Sequence, residues 1–160
     1  MEPEENILYA NPDDELMRIR SNDFEDGGDI PSGFTCDGED ISPHLAWEKI
    51  PEGTKSLALI VDDPDAPMGT WVHWLLCDIP PNTREIPQNS RPAGSRQVTN
   101  DFGRENYGGP CPPSGTHRYF FKLYALDVER TVATEKRAFY REVEEHKLGE
   151  AVIMGRYSRR

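Results

Sequence analysis

The chain has 160 residues, 36% hydrophobic and 29% charged, with 14 proline and 13 glycine, a size and mixture that suit one ordinary domain and leave no room for a second. Twenty-nine acidic against 18 basic residues set a formal net charge of −11, which argues against nucleic acid and anionic membrane surfaces, where Lys and Arg must meet phosphates. No run approaches the roughly 18 apolar residues of a spanning helix, and MEPEENILYANPDDE is acidic where a secretory signal would be basic and then apolar. The expectation is a cytoplasmic product with no stable membrane insertion, an acidic tail over 1–15 and a single domain over 16–160.

In chain order, LMRIRS from Leu16 reads as an early strand, and FEDGGDIPSGFTCDGEDISP from Phe24 to Pro43 as a long turn-rich loop of Gly, Asp and Pro. SLALIVD from Ser56 to Asp62 has the shape of a buried strand, ending at the acidic corner Asp62-Asp63-Pro64-Asp65-Ala66-Pro67. WVHWLLCDI from Trp71 to Ile79 is apolar on both alternating faces apart from His73 and Asp78, which predicts a central strand covered on both sides. The stretch onward to Gly115 holds too many prolines for a central strand. HRYFFKLYALD from His117 alternates clearly, with His117, Tyr119, Phe121 and Leu123 on one face. TEKRAFYREVEEHKLGEAVIM from Thr134 predicts one or two short helices, with Thr134 as N-cap, Phe139 and Val143 four apart on one face, and Gly149 as a stop. Strands first and helices last predict an antiparallel sandwich with appended helices. Cys36, Cys77 and Cys111 are odd in number, far apart and without a C-x-x-C, so free thiols are expected in place of a disulfide framework or zinc ribbon.

The common enzyme motifs are absent: there is no G-x-S-x-G, Walker loop, H-E-x-x-H or G-x-G-x-x-G. Polar residues gather instead at strand ends: Asp62, Asp63 and Asp65, then His73, then His117, Arg118 and Tyr119. Each has a plain structural reading. Asp63-Pro64-Asp65 suits a turn, since Asp side chains bond their own backbone two residues on. His73 between Trp71 and Trp74 suits a buried histidine satisfied by a backbone carbonyl. Arg118 suits an ion pair with Asp63 or Asp65.

Several segments change the balance: DISPHLAW (Asp40 to Trp47), VDDPDAP (Val61 to Pro67), WVHW (Trp71 to Trp74), GGPCPPSGTHRYFFKLYALD (Gly108 to Asp127) and LGEAVIMGRY (Leu148 to Tyr157). In order and spacing, over about Met17 to Tyr157, they resemble the phosphatidylethanolamine-binding protein family, and most of all its bacterial and archaeal Raf kinase inhibitor-like branch. The resemblance implies an all-β antiparallel sandwich with peripheral, short C-terminal helices and a small pocket for a phosphate-like anion. The pocket would comprise Asp63, Asp65, Pro67, Trp71, His73, His117 and Tyr119, with Gly109 taken from the Gly108 to Cys111 wall, where the matching glycine is not uniquely placed. It also implies a non-enzymatic binder of a phosphate-like anion, phosphorylated small molecule or phospholipid head group. Such a binder would modulate a partner protein, a kinase or serine protease, and pair as a homodimer, with no cofactor or metal. A hydrolase using a metal or histidines on Asp63, His73 and His117 is the alternative. An anion beside two aspartates needs compensation, so binding is expected to tighten as pH falls through the histidine range near about 6.5.

Overall fold

Ser56–Asp63 forms strand β3, and all eight of its residues are buried, because both faces of this strand are covered. A computed structural model describes residues 16–159; the acidic tail expected over 1–15 lies outside them. β3 sits in the middle of a five-stranded antiparallel sheet of order β6-β4-β3-β7-β8, formed with Trp71–Ile79 (β4), Arg96–Val98 (β6), Thr116–Leu126 (β7) and Lys147–Ser158 (β8). A three-stranded antiparallel sheet of order β1-β2-β5 combines Arg18–Arg20 (β1), Leu45–Glu48 (β2) and Glu85–Ile86 (β5). The expected fold class is therefore the observed one. Between the sheets Leu45, Trp47 and Ile86 pack against Leu59, Val61, Leu76, Phe121, Leu123 and Ile153. Each fully buried large apolar side chain contributes about 1.5–3 kcal/mol, so this layer dominates the stability of the fold.

The outer face of the larger sheet is covered by one helix, Lys136–His146 (α1). Phe139 and Val143, one helical turn apart, enter a second apolar cluster with Ala58, Ile60, Leu75, Cys77 and Tyr124. The N-cap is Glu135, not Thr134: its carboxylate accepts the backbone N–H groups of Arg137 and Ala138.

Three further expectations are corrected. The chain does not end in helices; α1 is followed by β8, the longest strand, hydrogen-bonded to β7 from Thr116↔Ser158 to Leu126↔Lys147. Ala151, Ile153 and Gly155 point inward while Val152 and Arg156 stay exposed, a period of two obscured by helix-forming Lys, Glu, Ala and Met. Gly149 is not a helix stop but a packing position, where a Cβ would stand 3.0 Å from Pro51 Cγ and 3.2 Å from Met17 Sδ. Finally, Cys36 and Cys111, 75 residues apart, are joined in a disulfide, leaving Cys77 as the buried free thiol. Sequence spacing hides this pair because the fold lays the 31–40 loop over the 107–111 segment. Cys36 N–H donates to Pro110 O (3.1 Å), Gly109 N–H to Asp40 Oδ1 (2.8 Å) and Tyr107 O–H to Phe34 O (2.7 Å).

Candidate functional site

The two neighbouring aspartates at the end of β3 point to opposite faces, as strand alternation requires. Asp62 faces the helix side, where Oδ2 accepts from Lys122 Nζ (3.0 Å) and Tyr140 O–H (2.7 Å). Asp63 faces inward. Its Oδ1 accepts the Asp65 N–H (2.7 Å), closing the turn, and its Oδ2 pairs with His117 Nδ1 at 2.7 Å. On β4 the register slips: Val61 opposes Trp74, but Asp62 opposes Val72, so His73 is an extra residue in a bulge. The bulge brings His73 to the inner side with its sequence neighbour Trp74. The His73 carbonyl is taken by Asn100 Nδ2 (3.0 Å) and the Gly108 N–H (3.1 Å) in place of the ladder. The ring stands edge-on to both Tyr119 (5.2 Å between centroids) and Phe102 (5.3 Å).

These residues enclose a cavity of about 260 Å3 lined by Asp63, Ala66, Pro67, Trp71, His73, Phe102, Cys111, Pro112, Pro113, His117 and Tyr119. No Lys or Arg lines it. The nearby cation Arg118 is committed elsewhere: its guanidinium grips Asp65 at two points (2.9 and 2.8 Å) and its backbone N–H adds a third bond. The Arg118 hydrogen bonds hold the Asp65 carboxyl down at about 2, against the small cost of burial. Burial pushes His73 below the ordinary histidine range, partly offset by the Gly108 carbonyl, to which Nδ1 donates at 2.6 Å, and by Asp63. Neither His73 nor His117 forms a hydrogen bond through Nε2 among the described residues.

Tyr119 forms the floor. It is 1% exposed, and its hydroxyl has no hydrogen-bond partner among the described residues. Burial first, and then Asp63 and Asp65, raise its pKa above the ordinary phenol; the Cys111 N–H favours the phenolate without closing a hydrogen bond to it. The hydroxyl is therefore a standing donor. Among the described residues no group of three or more His, Cys, Asp or Glu is arranged to hold a metal ion. A larger hollow of about 530 Å3 runs along Asp29, Asp37 and Arg156 to Arg159. In it Tyr157 O–H donates to Asp37 at 2.6 Å, Arg159 pairs with Asp37 at 3.1 Å, and the Arg156 guanidinium donates to Gly27 O at 3.1 and 2.7 Å.

Of the residues singled out in the sequence, the cavity brings together Asp63, Pro67, Trp71, His73, His117 and Tyr119. Asp65 is outside the lining and holds Arg118, the structural ion pair that its neighbourhood suggested. Gly109 is also outside the lining; it is buried against the 31–40 loop, where a Cβ would overlap Phe34 O and crowd Asp40 Oδ1. The plain reading of His73, a ring nitrogen bonded to a carbonyl, holds at Nδ1 and leaves Nε2 to the cavity. Sequence reasoning missed Phe102, Ala66, Pro112 and Pro113 as lining residues. Ala66 lies within the quoted VDDPDAP segment and Pro112 and Pro113 within the Pro-rich GGPCPP run, while Phe102 carried no signal.

A mostly β sandwich with a small histidine- and tyrosine-floored cavity at one end is the class that fold and site define. The family model for phosphatidylethanolamine-binding protein matches residues 20–158, and the chain belongs to that family. It is 56% identical over 120 residues to a UPF0098 protein of Aquifex aeolicus, covering 71% of this chain and 70% of that protein. A UPF0098 protein of Methanothermobacter thermautotrophicus is 48% identical over 150 residues, covering 89% of this chain and 99% of that protein. Among solved structures, Escherichia coli YbcL, described as a member of the mammalian PEBP family, superposes with a TM-score of 0.85 at 32% identity. That match covers 90% of this chain and 99% of YbcL.

Proposed function

We propose that the cavity binds a phosphate-like monoanion carried on a small organic group, and that the protein acts by binding and not by catalysis. The observation that carries this reading is the buried, unpartnered Tyr119 hydroxyl, which stands in one cavity with two histidines whose Nδ1 atoms are already engaged. A buried hydroxyl without a partner costs about 1–3 kcal/mol, a cost that a ligand acceptor removes. The electrostatics favour a monoanion over a dianion: no fixed cation lines the cavity, Asp63 stands in it hydrogen-bonded to His117, and the one nearby guanidinium, Arg118, is committed to Asp65. The volume falls just short of the roughly 300 Å3 at which drug-sized pockets begin, so a head group fits and acyl chains do not. Pro67, Trp71, Phe102 and Pro113 would meet the organic part. No Ser or Thr hydroxyl lines the cavity as a nucleophile.

Trp71, 38% exposed, lines the cavity, and Met68, 97% exposed, follows the lining residue Pro67 in the chain; through these apolar side chains a partner protein, a kinase or serine protease by resemblance, would read the occupied cavity. Weaker retention of such a partner by a His73→Ala, His117→Ala double variant is the expected result of a pull-down.

Affinity should rise as pH falls, because protonation gives His73 Nε2 a donor and a charge. Since burial lowers the His73 pKa, the rise should continue below about 6.5, the ordinary histidine value. The test is an amide-shift titration with inorganic phosphate and O-phosphoethanolamine at pH 6 and pH 8. Saturable shifts on Asp63, His73, His117 and Tyr119, stronger at pH 6 and absent in the double variant, are expected. An unresponsive cavity at pH 6 would refute the reading.

A further inference from the structure

The Cys36–Cys111 disulfide joins two sites of different character. Cys36 is exposed, on the loop that follows the short turn Ser32–Phe34, whereas Cys111 is half-buried and lines the cavity. Arg159 Nη1 donates to Cys111 Sγ at 3.7 Å, while its other terminal nitrogen pairs with Asp37 at 3.1 Å. A guanidinium on one sulfur of a disulfide makes that sulfur the better leaving group, because the thiolate it becomes is stabilised where it forms.

We infer that Cys36–Cys111 is a thiol–disulfide exchange site, with a dithiol as its reaction partner, and that its redox state sets the anion affinity of the cavity; this rests on the anion-binding reading above. A thiolate of the dithiol attacks the exposed Cys36 sulfur. The S–S bond breaks and its electron pair leaves on Cys111 Sγ, beside Arg159. The second thiol of the reductant then attacks its own sulfur in the mixed disulfide, and Cys36 leaves as a thiolate that takes a proton from solvent. Two electrons pass, the dithiol becomes a disulfide and gives up two protons, one matched by the proton Cys36 takes up and one left in solvent, and the protein gains a thiol at Cys36 and a thiolate at Cys111.

The consequence for the cavity is electrostatic. The hydrogen bonds from Cys36 N–H to Pro110 O, Gly109 N–H to Asp40 and Tyr107 O–H to Phe34 O do not involve sulfur, so the wall keeps its place after reduction. What changes is charge. In the oxidised protein Cys111 is neutral; in the reduced protein a thiolate stands in the wall and pairs with Arg159. The charged and titratable groups facing Cys111 are Arg159 and Asp37 on one side, and Tyr119, His117, His73 and Asp63 across the cavity. Asp40 is occupied by the Gly109 N–H. Only Arg159 among them is a permanent cation, so a cavity without fixed positive charge acquires a negative one.

The test titrates inorganic phosphate against air-oxidised and dithiothreitol-reduced protein at pH 7 and pH 5.5. Reduction should weaken binding about tenfold at pH 7, the effect of one added like charge at close range, and much less at pH 5.5, where the thiol is protonated. C36S, which leaves Cys111 as a thiol, should bind weakly at pH 7 without any reductant. C111S should show no response to reductant, and R159Q should move the onset of the redox effect to higher pH. Equal phosphate affinity in the oxidised, reduced and C36S proteins overturns the inference while leaving the anion reading intact. So does a denaturing thiol count of three in the air-oxidised protein. Absence of phosphate binding to the oxidised protein at pH 5.5 overturns the anion reading itself.

Discussion

Tyr119 carries two opposed demands in one side chain. Its ring belongs to the core between the sheets, yet its hydroxyl has no partner. Tyr119→Phe removes the unsatisfied group at almost constant volume, so the ligand-free protein should gain up to about 1 kcal/mol in urea unfolding while phosphate affinity drops about tenfold. A variant that loses stability and keeps affinity would show the hydroxyl to be structural. His73 makes a matching pH argument. Unfolded, it takes its proton near about 6.5; folded, burial holds it lower. As pH falls from 6.5 toward the folded value, the unfolded chain binds more protons, so the stability held by neutral His73 is lost progressively and then levels off. Denaturation of wild type and His73→Gln between pH 8 and pH 5 should show the wild type losing more on acidification, and saturating phosphate should reduce that loss. Asp65 runs on a lower window. Its contribution is present above the ordinary 3.8 and lost as pH falls toward about 2, where Arg118 holds it; because the pair is partly exposed, that loss is small.

At the level of elements, the bulge in β4 and the crossing of the 31–40 loop build the cavity, and neither is a periodic feature. Strands β3, β4 and β7 were legible because each is long, rich in β-branched or aromatic residues and bounded by Gly or Pro. Strands β5 and β6 were not, being two and three residues long inside a Pro-rich run. β8 was misread because its residues favour helix and only pairing with β7 overrides that preference. Helix α1 earns its place through one buried face, so Phe139→Ala, at 0% exposure, should cost about 3–5 kcal/mol in chemical denaturation with phosphate affinity unchanged. Gly109→Ala acts where the 31–40 loop meets the 107–111 wall. A Cβ overlapping Phe34 O would force the 31–40 loop off the 107–111 wall, lowering stability and phosphate affinity together.

Across the whole molecule, the disulfide closes a separation of 75 residues. The entropy of so long a loop in the unfolded chain corresponds to roughly 4 kcal/mol, so dithiothreitol should lower the melting temperature by several degrees in calorimetry while the circular dichroism of the folded protein stays the same. Disulfides are rare in a reducing cytosol and common outside it or in hyperthermophile interiors, so Cys36–Cys111 is compatible with more than one compartment. Among the described residues no helix is long and apolar enough to cross a membrane. Side-chain periodicity and turn chemistry act between near neighbours, so the amino-acid order was sufficient for the central strands, the amphipathic face of α1 and the inward set His117 and Tyr119. The pairing of Cys36 with Cys111, the turn of His73 to the inner face and the separation of Asp63 from Asp65 depend on segments far apart in the chain. Those contacts exist only once the two sheets have closed on their shared core, because that packing, and no local preference, sets which distant atoms meet.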